Sequence, residues 1–331
     1  MAGIAEVAVF AAVLLLALAF GALALVRRKQ RRRGAEPAEP LPLQAFIPEP
    51  PKAEEEVEGA ALVGLVGTLA RESSPLAVAT ASGRTRYPVV LVHGLFGFDS
   101  IGFGPLRSDY FRGVPARLSA LGVEVHVARV PRFANVRTRA MELTRFVNEL
   151  PAERVNIIAH SMGGLDARYA ISRLGLAPRV ASLVTIGTPH LGTPLARVAG
   201  RLVRAPVMRW LGPFGRPLET IHDLTPEAME AFNRDVPDAP GVDYTSCVGV
   251  AVGSAPARQN ARGSLGVHWV STRLLPAFSR GDGLVPRESQ RWGMVLWEIE
   301  ANHWAQIGWL YGFDAGSFYE QITRTLSARG L

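Results

Sequence analysis

Near the middle of the chain the stretch RVNIIAHSMGGLDARYAI runs from an apolar strand-like segment through Ala159-His160-Ser161-Met162-Gly163 into a segment compatible with a helix. A serine on a tight strand-to-helix turn, with small residues two places before and two after it, is the G-x-S-x-G nucleophile arrangement with alanine in the first glycine place. Such a turn lifts the hydroxyl clear of the sheet, and Ala159 and Gly163 are small enough for strand and helix to approach. A serine in an ordinary Gly-rich turn would need neither the strand before it nor the helix after it. Ser161 is therefore assigned as a nucleophile.

A serine hydroxyl is a poor nucleophile at neutral pH, so a base must take its proton and an acid must orient that base. The chain order that accompanies this turn is Ser, acid, His. Of the seven histidines, only His303 lies beyond a suitable late acid, directly after the strand-like run Met294 to Ile299, and it is assigned as the base. Asp282, in RGDGLVP, is assigned as the acid, because glycines on both sides let a carboxylate turn inward at a tight loop; the competing reading is a plain Asp-Gly turn. His190 is the reserve base. His160 is expected to point away from the serine hydroxyl, His93 and His190 to hold loops by hydrogen bonds, and His126, His222 and His268 to be strand or loop residues. Asp166 is expected to be structural.

Acyl transfer also needs backbone N–H donors for the tetrahedral oxyanion, one from the residue after the nucleophile and one from a loop after an early strand. These are Met162 and Leu95, the latter in His93-Gly94-Leu95-Phe96-Gly97, whose glycines bring the backbone to the substrate oxygen; a Gly-rich turn without a role is the alternative.

The elements that must position these groups are legible as alternation. Strand candidates at Tyr87 to His93, Glu124 to Val130, Arg154 to His160, Val180 to Ile186, Tyr244 to Val252 and Met294 to Ile299 are separated by amphipathic segments such as Val136 to Leu150. Such alternation implies a mostly parallel sheet with helices on both faces. The only cysteine, Cys247, excludes an internal disulfide and is expected to be a buried strand residue.

The 331 residues divide unevenly. Residues 2–26 carry one ionisable side chain, Glu6, and as a helix rising ~1.5 Å per residue would cross a hydrocarbon core of about 30 Å. A cleaved signal peptide is the rival, but it needs its basic stretch before the apolar core, whereas RRKQRRR follows it. Residues 1–26 are thus expected to be a transmembrane anchor. Residues 27–59 form a basic flank and a Pro/Glu-rich extended linker, and residues 60–331 the catalytic domain. The net charge of +7 includes a basic excess on the domain itself, which favours anionic lipid headgroups or nucleic acid by general electrostatics. No nucleic-acid module is present, so a membrane is the expected partner. Nothing sets an oligomeric state.

The segments YPVVLVHGLFGFDSIG, DYFRGVPARLSALG, VNIIAHSMGG, TIGTPHLGTPLA, DLTPEAMEAFN, GDGLVP and NHW are similar to successive landmarks of the secreted bacterial triacylglycerol lipases of the Pseudomonas and Burkholderia type, over most of residues 87–305. The AHSMG turn is also similar to that of Bacillus lipases. The resemblance implies an α/β-hydrolase fold and hydrolysis of acylglycerol esters through Ser161, Asp282 and His303, with no cofactor. Those lipases carry an aspartate two residues after the catalytic histidine that helps hold calcium; here the position is Ala305, so no metal is expected. The resemblance places a lid at about residues 193–219. There Leu195, Val198, Ala199, Leu202 and Val203 recur at helical spacing beside Arg197, Arg201 and Arg204, a pattern suited to a basic amphipathic helix at a lipid surface or to a helix packed on the core.

The expected function is thus a membrane-anchored lipase or esterase. An acyltransferase or thioesterase would use the same triad, and an inactive hydrolase fold serving as an interaction module would not need it intact. The six basic residues after the span predict a cytoplasmic catalytic domain.

Overall fold

The computed structural model describes residues 84–95, 100–101, 108–197, 220–251, 281–309 and 313–331. The expected anchor, the linker and most of the expected lid lie outside the described residues. Among the described residues no helix is long and apolar enough to cross a membrane.

In chain order the elements are β1 (Val89–Val92), β2 (Ser100–Ile101), β3 (Ser108–Asp109), α1 (Val114–Ala120), β4 (Val125–Val127), α2 (Val136–Glu149), β5 (Val155–His160), α3 (Gly163–Arg173), β6 (Val180–Ile186), α4 (Pro226–Asp235), β7 (Asp243–Gly249), β8 (Met294–Ile299) and α5 (Ala315–Ala328). Six strands form one sheet in the order β4-β1-β5-β6-β7-β8, every pairing parallel, and β2 and β3 form a small antiparallel pair apart from it. The strands β1, β5 and β6 are buried along their whole length. That is why they read as continuous apolar runs instead of alternating ones.

The pleat sends successive side chains to opposite faces. Val89 and Leu91 of β1 join Ile158, Val184 and Cys247 under α1 and α5, which contribute Val114, Leu118, Phe318, Tyr319 and Ile322. Val90 and Val92 join Ile157, Ala159 and Leu183 under α2 and α3, which contribute Ala140, Leu143, Val147, Ala167 and Ile171. Cys247 lies fully buried in β7, as its apolar surroundings predict. Side chains cap α2 and α5: the Asn135 side chain accepts from Thr138 N at the head of α2, and that of Asp314 from Ser317 N at the head of α5.

The chain leaves β1 for β4 on one side and then returns to β5 on the other. The carboxyl ends of β1 and β5 therefore flank a point where the winding direction reverses, the place in an open parallel sheet where a crevice forms. His93-Gly94-Leu95 follows β1 and Ser161 follows β5, so the topology brings the two loops together.

Candidate active site

Ser161 has φ 56°, and it is the one residue other than glycine with positive φ among the described residues. A left-handed conformation is costly for a residue with a side chain and persists only where surrounding contacts enforce it. Here Ser161 N donates to Ile186 O (2.8 Å), while Ser161 O accepts from Thr188 Oγ1 (2.8 Å) and Gly164 N (3.1 Å). The small residues around the turn are a packing necessity. A methyl group on Gly163 would lie 2.7 Å from Val92 O and 2.8 Å from His93 O, and one on Gly94 would lie 2.7 Å from Ser161 Cβ.

Asp282 and His303 are brought into direct contact. His303 Nδ1 donates to Asp282 Oδ2 at 2.7 Å, and His303 N donates to Asp282 O at 3.0 Å. Both side chains are buried. The carboxylate is saturated with donors: Oδ1 accepts from Leu284 N (3.0 Å) and Val285 N (2.8 Å), and Oδ2 also accepts from Gln306 Nε2 (3.1 Å). The tight loop expected around Asp282 is closed by a bridge between Gly281 and Pro286. Gly187, which follows the strand that binds Ser161 N, ties this pair to the serine turn: a methyl group on it would lie 3.0 Å from Asp282 Oδ2 and 3.3 Å from His303 Nδ1.

Met162 is fully buried at the head of α3, and Leu95 lies half-buried in the loop after β1. Among the described residues neither N–H has a hydrogen-bond acceptor, the condition for donating to a substrate oxygen. Phe96 and Gly97 lie outside the described residues. Of the expected lid, residues 194–197 form a helical turn whose Ala196 is buried, while exposed Arg197 pairs with Glu227 at 3.2 Å; residues 198–219 lie outside the described residues.

The other histidines have separate partners. His190 is fully buried, its ring nitrogens facing Arg168 Nη1 (3.3 Å) and Thr185 Oγ1 (3.1 Å), and burial beside the Arg168 charge holds its pKa well below the usual value. It stacks on Trp292, over which the Arg168 guanidinium also lies, 3.4 Å from the ring centroid. His126 pairs with Glu124 on the edge strand β4, His93 Nδ1 donates to Gly94 O, and His222 lies in a 3-10 turn at Thr220–Leu224. His268 lies outside the described residues.

Several groups around the site carry no spacing signature. Asp166 forms a fully buried ion pair with Arg139 (2.7 Å), and Arg139 also donates to Pro131 O and His93 O, each at 2.6 Å. Burial outweighs the guanidinium and pushes the Asp166 carboxyl up to about 7. Arg139 falls within the apolar stripe of Val136, Ala140, Leu143 and Val147, an anomaly that a helical reading of α2 could have flagged. Gln306 and Tyr110 had no comparable signal.

Ala305, at the position where the resemblance implies a calcium-binding aspartate, is buried in a 3-10 turn and offers no oxygen ligand from its side chain. Among the described residues no three His, Cys, Asp or Glu side chains gather as a metal site. A cleft of about 630 Å³ lies elsewhere, between the β4 edge and α2, and includes none of Ser161, Asp282 or His303.

Residues 87–214 match the family model of the alpha/beta hydrolase fold. The chain is 31% identical to a triacylglycerol lipase of Burkholderia plantarii over 245 residues, 64% of this chain and 66% of that one. It is 30% identical to a triacylglycerol lipase of Pseudarthrobacter phenanthrenivorans over 221 residues, 57% of this chain and 67% of that one. The chain thus spans about two thirds of the length of each of these relatives. The crystal structure of a mature Bacillus licheniformis lipase shares the fold at a TM-score of 0.56 and 19% identity, over 73% of this chain and 91% of that one. On the sequence identity and the shared architecture together, the chain belongs to the bacterial triacylglycerol lipases of the α/β-hydrolase superfamily.

Proposed function

We propose that the protein hydrolyses carboxylic esters of lipids through an acyl-enzyme on Ser161. The observations that carry this reading are the strained Ser161 turn packed against Gly94 and the buried His303–Asp282 pair, which meets Gly187 after β6. His303 Nε2 takes the serine proton as the hydroxyl attacks the ester carbonyl and returns it to the departing alcohol. Asp282 keeps Nδ1 protonated and stabilises the imidazolium that forms. Leu95 and Met162 N–H stabilise the oxyanion, and water then repeats the sequence on the acyl-enzyme. In the same reading residues 2–26 anchor the enzyme, and the basic run after them keeps the domain on the cytoplasmic face of the membrane.

The test is release of p-nitrophenol from esters of graded chain length by the full-length chain, with fluorophosphonate labelling of the nucleophile. Ser161→Ala is expected to abolish labelling and lower hydrolysis by several orders of magnitude, and His303→Ala to be comparably damaging, while His190→Ala leaves kcat near the parent value. Residual hydrolysis in Ser161→Ala within about tenfold of the parent would overturn the assignment, because about 1.4 kcal/mol is far too little for a nucleophile.

A further inference from the structure

A chain of buried hydrogen bonds crosses beneath Ser161. Gly94 N–H lies 3.2 Å from Tyr110 Oη, Tyr110 Oη lies 2.8 Å from His160 Nδ1, and His160 Nε2 lies 3.1 Å from the carbonyl oxygen of His303. The tyrosine and both histidines are buried. The rings follow one another closely, with centroids 5.8 Å apart for Tyr110 and His160 and 4.5 Å for His160 and His303.

The two ends fix the direction of every bond. A backbone N–H can only donate and a carbonyl can only accept. His160 Nε2 must therefore carry a proton, given to His303 O. Burial, with the His303 ring beside it, holds the His160 pKa well below its usual value, so the imidazole is neutral and its Nδ1 is an acceptor. The Tyr110 hydroxyl supplies that proton while accepting from Gly94 N–H; burial raises its own pKa, so it stays protonated.

Each end is a part of the proposed catalytic machinery. Gly94 shares a peptide bond with Leu95, the oxyanion donor, and its N–H is held by Tyr110 while its carbonyl accepts from His93 Nδ1. His303 is held at three points: its N by Asp282 O, its Nδ1 by Asp282 Oδ2, and its carbonyl by His160. We propose that Tyr110 and His160 are positioning residues that couple the oxyanion loop to the general base, so that the Leu95 donor and the His303 imidazole keep register across Ser161. This rests on the triad reading of the site. It also gives a function to the histidine before the nucleophile, whose side chain must point away from the hydroxyl.

Two measurements on the full-length chain test it. Histidine-selective 15N NMR reads the His160 tautomer without any need for turnover: a neutral ring protonated at Nε2 is expected at neutral pH, and a doubly protonated or Nδ1–H ring would overturn the relay. Kinetics then read its effect. Tyr110→Phe keeps the ring and removes the hydroxyl, and His160→Gln keeps a donor aimed toward His303 O but not the contact with Tyr110. Each is expected to lower kcat about 10- to 100-fold per fluorophosphonate-titrated site, with KM within about twofold, since misplacement of reacting groups acts on the chemical step. The double variant is expected to lose little more than either single one, as members of one network do. Unchanged kcat per titrated site in Tyr110→Phe, or fully multiplicative losses in the double variant, would refute the coupling. Absence of hydrolysis in the parent would instead overturn the triad reading, and the tautomer measurement would still decide the relay.

Discussion

Replacing Arg139 by Met is expected to damage both stability and the site, because this guanidinium joins three elements beneath the nucleophile. It reaches from α2 to Asp166 on α3, to Pro131 O, and to His93 O at the root of the oxyanion loop. Arg139 and Asp166 side chains are both 0% exposed, so no water replaces the lost partner. Removing one member of a buried pair costs about 3–5 kcal/mol, which includes carbonyl groups left unpaired at about 1–3 kcal/mol each. The sign of its pH dependence follows from Asp166. Burial already raises this carboxyl to about 7 with Arg139 present, and loss of the guanidinium raises it further. A folded-state pKa above the unfolded value of about 3.9 means that the folded protein binds the proton more tightly, so stability falls as pH rises between the two values. In the parent this fall ends near 7; in Arg139→Met it continues above that, by about 1.4 kcal/mol per pH unit. The difference between variant and parent, measured by urea unfolding of the full-length chain followed by tryptophan fluorescence, should therefore widen from about pH 6 to about pH 9. The double variant Arg139→Met/Asp166→Leu leaves no buried charge and should recover part of the loss while removing the widening. A destabilisation below about 1 kcal/mol, or one that does not change with pH, would refute the reasoning.

Gly94→Ala is expected to displace the Ser161 turn and abolish ester hydrolysis, since the added methyl would sit 2.7 Å from Ser161 Cβ, 3.0 Å from Tyr110 Oη and 3.2 Å from Ser161 Oγ; the p-nitrophenyl assay, with circular dichroism to report the overall fold, checks it, and hydrolysis at the parent rate would refute it. Incubation with EDTA should change neither the melting temperature nor hydrolysis, because Ala305 supplies no carboxylate for calcium, and a loss reversed specifically by calcium would show that other ligands rebuild a site. A fluorescent protein fused to the C-terminus should be bright and an alkaline phosphatase fusion inactive, as a cytoplasmic domain requires; an active phosphatase fusion would place the domain outside.

Local chemistry made the sheet and the serine turn legible before any fold was known. The expected limits of β6 and β8, Val180 to Ile186 and Met294 to Ile299, coincide with the observed strands. The central strand β6, buried along its whole length, leaves a continuous apolar run that flanking polar residues delimit sharply, while β8 is an edge strand with exposed and half-buried residues and was legible from its β-rich composition. Ala159, Ser161 and Gly163 are likewise a contiguous signal, because the turn itself demands small neighbours, and glycines around Asp282 mark a loop tight enough to present a carboxylate. Less was legible where spacing is long or the element is small: β2 and β3 are two residues each, too short for any periodicity to register. The supports of the site are distant in the chain, with Tyr110 50 residues from His160, His160 143 from His303 and Arg139 46 from His93. Nothing in the local sequence of either partner specifies the other. These contacts exist because parallel strands place the carboxyl ends of β1 and β5 side by side and because helices pack across the sheet. Residue type and short spacing determined which groups could do the chemistry; the winding of the chain decided which buried polar groups hold them, since a buried donor or acceptor is paired only by what the fold brings within reach.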